Sequence, residues 1–414
     1  MIENMIQLRD YQEDMASEGV KILEQYGFLY IAAEVRTGKT LTSLAICDRM
    51  PEVNRVLFLT KKKAISSITD DSDKLCPHYE LWVMNYESMH KLPPIKWDVV
   101  VLDEAHGMGA FPKPSKRAKD VRHLIQMNRP KVILLSGTPT PESYSQMYHQ
   151  VYGIPRNPFA QYKNFYRFAD DHVNRKQRKI NGMVINDYSD GKDTIINLMK
   201  PYTISYTQRQ AGFESEITEH VLRVRMDDDT YSLADKLKRN LVIEGRDEVI
   251  LADTPVKLMM KLHQIYSGTI KFESGNSMVL DTTKAEFIQE HFAGKKIGVF
   301  YKFKAELKAL KEVFGNALCE DLDTFNNTEC QVIALQIVSG REGISLRNAE
   351  ALVYYNIDFS ATSYWQSRDR MTTKDRMKND VYWVFSDRGI ESDIYRTVQL
   401  KKDYTLRHFL RSEQ

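Results

Sequence analysis

Phe28-Leu29-Tyr30-Ile31-Ala32-Ala33-Glu34-Val35-Arg36-Thr37-Gly38-Lys39-Thr40 is an apolar run of strand length, a turn, and the opening of a helical stretch. A G-K-T triplet in that setting is the context a phosphate-binding loop requires. Backbone N–H groups at a helix N-terminus hold phosphate oxygens. The Lys39 ammonium would reach the β and γ phosphates, and the Thr40 hydroxyl would ligate Mg²⁺. Ala33 stands where the usual motif has its first glycine. The expected ligands are ATP and Mg²⁺, with Glu34, Val35, Arg36, Thr37, Gly38, Lys39 and Thr40 forming the cradle.

Strand-like runs recur after this one at 55–59, 80–84, 98–102 and 131–135, with stretches of helical period after most of them. That alternation predicts an α/β fold, a doubly wound parallel sheet with helices on both faces. A second series has strands at 220–226, 296–300, 331–335, 351–356 and 381–385, helices at 231–245, 255–266, 284–291 and 304–314, and a long closing helix. Two lobes are therefore expected, 1–218 and 219–414. Within the first, 143–213 turns aromatic, polar and basic, the composition of an inserted protrusion. Asn181-Gly182 lies there between two short runs, a strong hairpin-turn signal, and Arg175, Lys176, Arg178 and Lys179 make that hairpin basic. Tyr162, Phe165 and Tyr166 either stack on bases or pack beneath the protrusion.

The composition, 42% hydrophobic and 28% charged over 414 residues, is that of a globular chain of more than one domain. With 58 Lys+Arg against 56 Asp+Glu, the net charge of +2 excludes binding nucleic acid through overall charge and leaves room for a local basic groove. No apolar run approaches the roughly 18 residues of a membrane span, and the first residues lack a secretory signature, so no membrane partner and a cytoplasmic location are expected. Cys47, Cys76, Cys319 and Cys330 show no C-x-x-C pairing, which argues against both a zinc knuckle and a disulfide framework.

The second chemical signal is Val99-Val100-Val101-Leu102-Asp103-Glu104-Ala105-His106, an apolar strand ending in two carboxylates. Asp103 would hold the metal while Glu104 polarises the attacking water, which separates metal binding from base catalysis. His106 reads as a link from the nucleotide to the strand ending in Ser136, since no further ligands of zinc spacing accompany it.

These residues resemble the superfamily 2 helicases of the D-E-A-H kind, and further matches point to the Swi/Snf-like branch in a compact phage or bacterial form. Leu8-Arg9-Asp10-Tyr11-Gln12 is similar to the segment that sets aromatic and amide groups on adenine, which adds Arg9 and Gln12 to the nucleotide site. Pro114-Ser115-Lys116-Arg117-Ala118-Lys119 resembles the stretch after the family's D-E-A-H, and the segments from Tyr162 and from Leu198 resemble its connecting segments. Ser136-Gly137-Thr138-Pro139 resembles the S-G-T-P motif, which implies that Ser136 and Thr138, with His106, couple hydrolysis to DNA grip. The resemblance also implies nucleic-acid contacts at Thr60, Lys61, Asn85, Tyr86 and Thr138 in the first lobe. In the second lobe it implies them at Tyr301, Lys302, Ser339, Gly340, Arg341 and Gln366, with Gly343 near the nucleotide. A core role for Tyr86 stays open, and so does a solvated role for the lysine run 61–63.

The family's late motif, Q-x-x-G-R-x-x-R, is matched with departures by Gln366-Ser367-Arg368-Asp369-Arg370-Met371-Thr372-Thr373. Arg370 takes the first arginine's place, while Thr373 stands where a second arginine finger belongs. Either Arg368, Lys374 or Arg376 stands in from a shifted register, with Arg376 favoured, or Arg370 serves alone. The resemblance implies two RecA-like lobes in tandem forming a monomeric, nucleic-acid-dependent ATPase that acts as a DNA helicase or duplex translocase, with duplex, forked or branched DNA as partner. An RNA helicase and a nucleic-acid-binding module with weakened hydrolysis are the alternatives. No protein-targeting module is expected.

Overall fold

β1 (Phe28–Ala33) alternates strictly between two cores, with Phe28 and Tyr30 in one and Leu29, Ile31 and Ala33 in the other. The same division runs through β2 (Arg55–Thr60), β4 (Val99–Leu102) and β5 (Lys131–Ser136). A strand buried on both faces must be covered by helices on both, which is why these sequences read as continuous apolar runs. In the computed structural model, which describes residues 6–180, 183–212, 216–245, 247–337, 346, 348–368 and 378–400, these strands join β3 (Glu80–Asn85) and β8 (Thr203–Tyr206). The result is an all-parallel sheet of six strands in the order β3-β2-β4-β5-β1-β8.

β8 lies inside the segment expected to be an insertion, and its pairing with β1 makes it a sheet edge. The hairpin is present, with β6 (Lys176–Ile180) antiparallel to β7 (Met183–Asp187), while its Asn181-Gly182 turn lies outside the described residues. Of the three aromatics named in the protrusion, Phe165 packs, 2% exposed against Tyr148 and Phe168, and Tyr162 donates its hydroxyl to Asp171, while Tyr166 stays exposed.

The second unit, Phe213–Gln414, has its own six-stranded parallel sheet. Its edge strand β9 (Glu216–Val224) begins ahead of the boundary read at 218/219 and pairs along its whole length with β18 (Lys378–Ser386). Two short antiparallel pairs, β10 (Val242–Glu244) with β11 (Val249–Leu251) and β12 (Thr269–Lys271) with β13 (Ser277–Val279), had no counterpart in the sequence reading. The first of these cuts short the helix expected over 231–245, which ends at Asn240 before a left-handed Leu241. The main sheet runs β15 (Leu318–Cys319), β16 (Val332–Gln336), β14 (Ile297–Tyr301), β17 (Ala351–Tyr354), β18, β9 around one large core.

Among the described residues no helix is long and apolar enough to cross a membrane, and no group of His, Cys, Asp and Glu is placed to hold a metal by itself. All four cysteines are free.

Candidate functional site

Every chemistry-bearing segment of the first unit leaves the sheet at its carboxyl edge, where ligands of open α/β sheets bind. The loop after β1 opens α1 (Lys39–Asp48), whose N-cap Gly38 sits in the left-handed region at φ 77°. That backbone conformation favours glycine, and a Cβ there would also displace the end of the Gln12 side chain, whose Nε2 lies 2.1 Å from its ideal position. Thr37 is fully buried and donates its hydroxyl to Glu34 O at 2.8 Å, and Lys39 Nζ donates to the same carbonyl at 3.0 Å. Thr40, Val35 and Arg36 are partly exposed along the same turn.

Segments remote in sequence brace this loop. The buried Gln12 amide reaches Gly38 O at 3.4 Å, and Tyr11 donates to Thr37 O at 3.2 Å while its ring stacks on Tyr206. Arg9, exposed, donates its backbone N–H to Gln12. Beyond β8, Gln208 donates its N–H to Glu34 Oε2 at 2.7 Å and its amide to Val35 O at 2.9 Å. Sequence reasoning missed Gln208, because its partners lie more than 170 residues away and nothing local marks it.

Asp103 and Glu104 follow β4. Asp103 accepts from Thr60 Oγ1 at 2.7 Å and from the Glu104 N–H at 3.0 Å, and its main-chain oxygen accepts from the Tyr86 hydroxyl at 2.6 Å. Burial first, and the adjoining Glu104 next, push the Asp103 carboxyl up to about 6, against the hydroxyl of Thr60 and the charge of Lys39. Glu104 itself takes a left-handed backbone at φ 50°. Two neighbouring acids, both partly buried, form a donor set that a divalent cation would stabilise as carboxylates, so the residues present fit Mg²⁺.

His106 Nδ1 lies 3.2 Å from Glu104 Oε2 and 3.0 Å from Ser136 Oγ, so one ring nitrogen faces both the acid and the end of β5. Ser136 also accepts from the Thr138 N–H at 3.2 Å, whereas the Thr138 hydroxyl is buried without a hydrogen-bond partner. Between them, Gly137 brings β5 onto the phosphate loop: a Cβ there would lie 3.7 Å from Lys39 Nζ.

Several residues expected at nucleic acid are buried or paired within their own unit. Thr60 is wholly buried and spends its hydroxyl on Asp103, and Tyr86 is 5% exposed with its hydroxyl on the Asp103 carbonyl. Tyr301 is buried at the end of β14. Lys302 is ion-paired with Asp358 at 3.0 Å and packed on the Phe359 ring, and burial lowers its ammonium from the usual lysine value. Arg368 is held by Glu219 at 2.8 Å and lies over Trp365. Lys61 keeps partial exposure beside the exposed Lys62 and Lys63, and Asn85 donates to Glu87 at 3.0 Å.

Ser339, Gly340, Arg341, Gly343, Arg370 and Arg376, together with Thr373 and Lys374, lie outside the described residues. Gln366 sits on the helix Ala361–Arg368, its side chain likewise outside.

The family of SNF2-related domains matches residues 49–268, just over half of the chain, starting past the phosphate loop. Among solved structures, the chain is similar to the Sulfolobus solfataricus SWI2/SNF2 ATPase core in complex with dsDNA, at 16% identity over 97% of this chain and 92% of that one, TM-score 0.44. A second likeness is to the Sulfolobus solfataricus SWI2/SNF2 ATPase core domain, at 15% identity over 97% and 90%, TM-score 0.41. No curated protein matches.

Proposed function

The chain belongs to the family of SNF2-related domains, and on that premise we propose that it is an ATP hydrolase whose turnover drives it along duplex DNA, forked and branched forms included. One observation carries the reading: the Lys39 loop, the Asp103–Glu104 pair and the His106–Ser136 contact emerge from one edge of one sheet.

In this reading the backbone N–H groups of residues 34–40 and the Lys39 ammonium hold the triphosphate. Thr40 and Asp103 would hold Mg²⁺, which supplies charge neutralisation at the phosphate oxygens when bound. Glu104 accepts the proton of the attacking water as general base. His106, facing Glu104 and Ser136 through one nitrogen, ties the state of that base to the Ser136-Gly137-Thr138 turn. The lysines at 61–63 and Asn85 stand at the same sheet edge, where contact would be to phosphate and sugar, so little sequence preference is expected. Arg370, and Arg376 if it replaces the finger absent at Thr373, would add cationic charge at the γ-phosphate.

The test is displacement of a third strand from a DNA triplex under ATP, with Lys39→Ala as control. Displacement by the wild type alone supports motion along duplex, and equal residual triplex in both refutes it. A forked duplex in parallel reads strand separation independently.

A further inference from the structure

The two segments expected to face nucleic acid in the first unit are each joined to Asp103 by one buried side chain. Thr60 ends β2 immediately before Lys61, and its hydroxyl donates to Asp103 Oδ2 at 2.7 Å. Tyr86 follows Asn85 at the end of β3, and its hydroxyl donates to Asp103 O at 2.6 Å. With the Glu104 N–H on Oδ1, both carboxylate oxygens and the main-chain oxygen of Asp103 are fixed by three donors. The Tyr86 ring is covered by the Arg117 guanidinium, 4.5 Å from its centroid, and Arg117 is paired at 2.8 Å with Glu87. Tyr86, Glu87 and Arg117 line an open groove of about 700 Å³, so a change at the surface of this segment has a short path inward to Asp103.

We propose that Thr60 and Tyr86 are positioning residues that couple nucleic-acid contact at the segments beginning with Lys61 and Asn85 to the placement of Asp103. The inference rests on the ATP hydrolase reading above. A hydroxyl bonded to a metal-holding acid sets its rotamer and orientation, and loss of such a partner typically costs about 10- to 100-fold in activity. Thr60→Val and Tyr86→Phe each remove one hydroxyl while keeping shape, and Thr60→Ser restores the donor.

The experiment measures kcat and KM for ATP with and without duplex DNA, and the Kd for DNA, in the full chain. Thr60→Val and Tyr86→Phe are expected to lower DNA-stimulated kcat about 10- to 100-fold with Kd for DNA within twofold of wild type, and Thr60→Ser to recover most of the rate. Unchanged stimulated kcat in both variants overturns the proposal. So does a Kd for DNA that rises in step with the loss of rate, since that is direct binding. So does a Thr60→Ser chain as slow as Thr60→Val, because a lost donor is then not the cause. Tyr86→Phe carries the test if the position 60 variants unfold. Absence of DNA stimulation in the wild type refutes the functional reading instead, a result distinguishable from all of these.

Discussion

Lys284 and Glu391 form an ion pair at 2.9 Å with both side chains fully buried. Lys284 also donates to Tyr355 O, and Glu391 Oε1 accepts from the Ser386 N–H, while Glu391 Oε2 is left without a partner. A buried pair of this kind is costly to break and cheap to replace whole, because removing one partner strands the other's charge in a medium that cannot solvate it. Glu391→Ala is therefore expected to destabilise the second unit by about 3 to 5 kcal/mol, and the double variant Lys284→Met/Glu391→Leu by far less. Urea unfolding followed by circular dichroism checks both, and equal losses would contradict this view of the pair.

The proposed function expects phosphate chemistry and duplex binding to be separable by mutation. Lys39→Ala and Glu104→Gln are each expected to cut turnover by about 10²-fold or more, since in the proposed function one removes a cation on the phosphates and the other the general base. Binding of a labelled duplex, read by fluorescence anisotropy, should stay within a few fold of wild type in both. Comparable hydrolysis by either variant would remove the site assignment.

His263 gives the second unit a defined acid sensitivity. Its ring is fully buried with Nε2 2.6 Å from Asn356 Oδ1, and burial, followed by the charge of Lys302, holds its imidazole well below the usual histidine value. The unfolded chain therefore takes up the proton first as pH falls below about 6.5, so stability declines there by up to about 1.4 kcal/mol per pH unit and levels off below the folded value. Glu306, held above the usual carboxylate value by burial, acts in the opposite sense in the same network. Comparing wild type with His263→Gln isolates the histidine: unfolding midpoints at about pH 7 and pH 5.5 should differ more in the wild type. Identical slopes would contradict the assignment.

The missing finger is tested by two single changes. Arg370→Ala is expected to lower DNA-stimulated hydrolysis by about 10³-fold. Arg376→Ala should do the same only if it supplies the charge absent at Thr373, and a wild-type rate in that variant eliminates Arg376.

The sequence made the sheets legible where strands are buried on both faces, because runs such as Val99–Leu102 carry no polar residue to obscure them. It hid β8, whose four residues include Thr203, Ser205 and Tyr206, and β15, which is only two residues long. Local motifs singled out Lys39, Asp103 and Glu104, and the structure places them after β1 and β4 at one edge of the first sheet. The burial of Thr60 was hidden and that of Tyr86 stayed open, because the bonds that hold them to Asp103 close over separations of 43 and 17 residues. Arg368 looked available on charge alone, and Glu219, which holds it, is 149 residues away.

The most direct measurement is steady-state ATP hydrolysis by wild type and Lys39→Ala with no nucleic acid, single-stranded DNA, duplex DNA, forked or four-way DNA, and RNA. Strong stimulation of the wild type by duplex or branched DNA, absent in Lys39→Ala, is the expected result. Preferential stimulation by RNA, or no hydrolysis under any condition, would contradict a duplex-DNA motor.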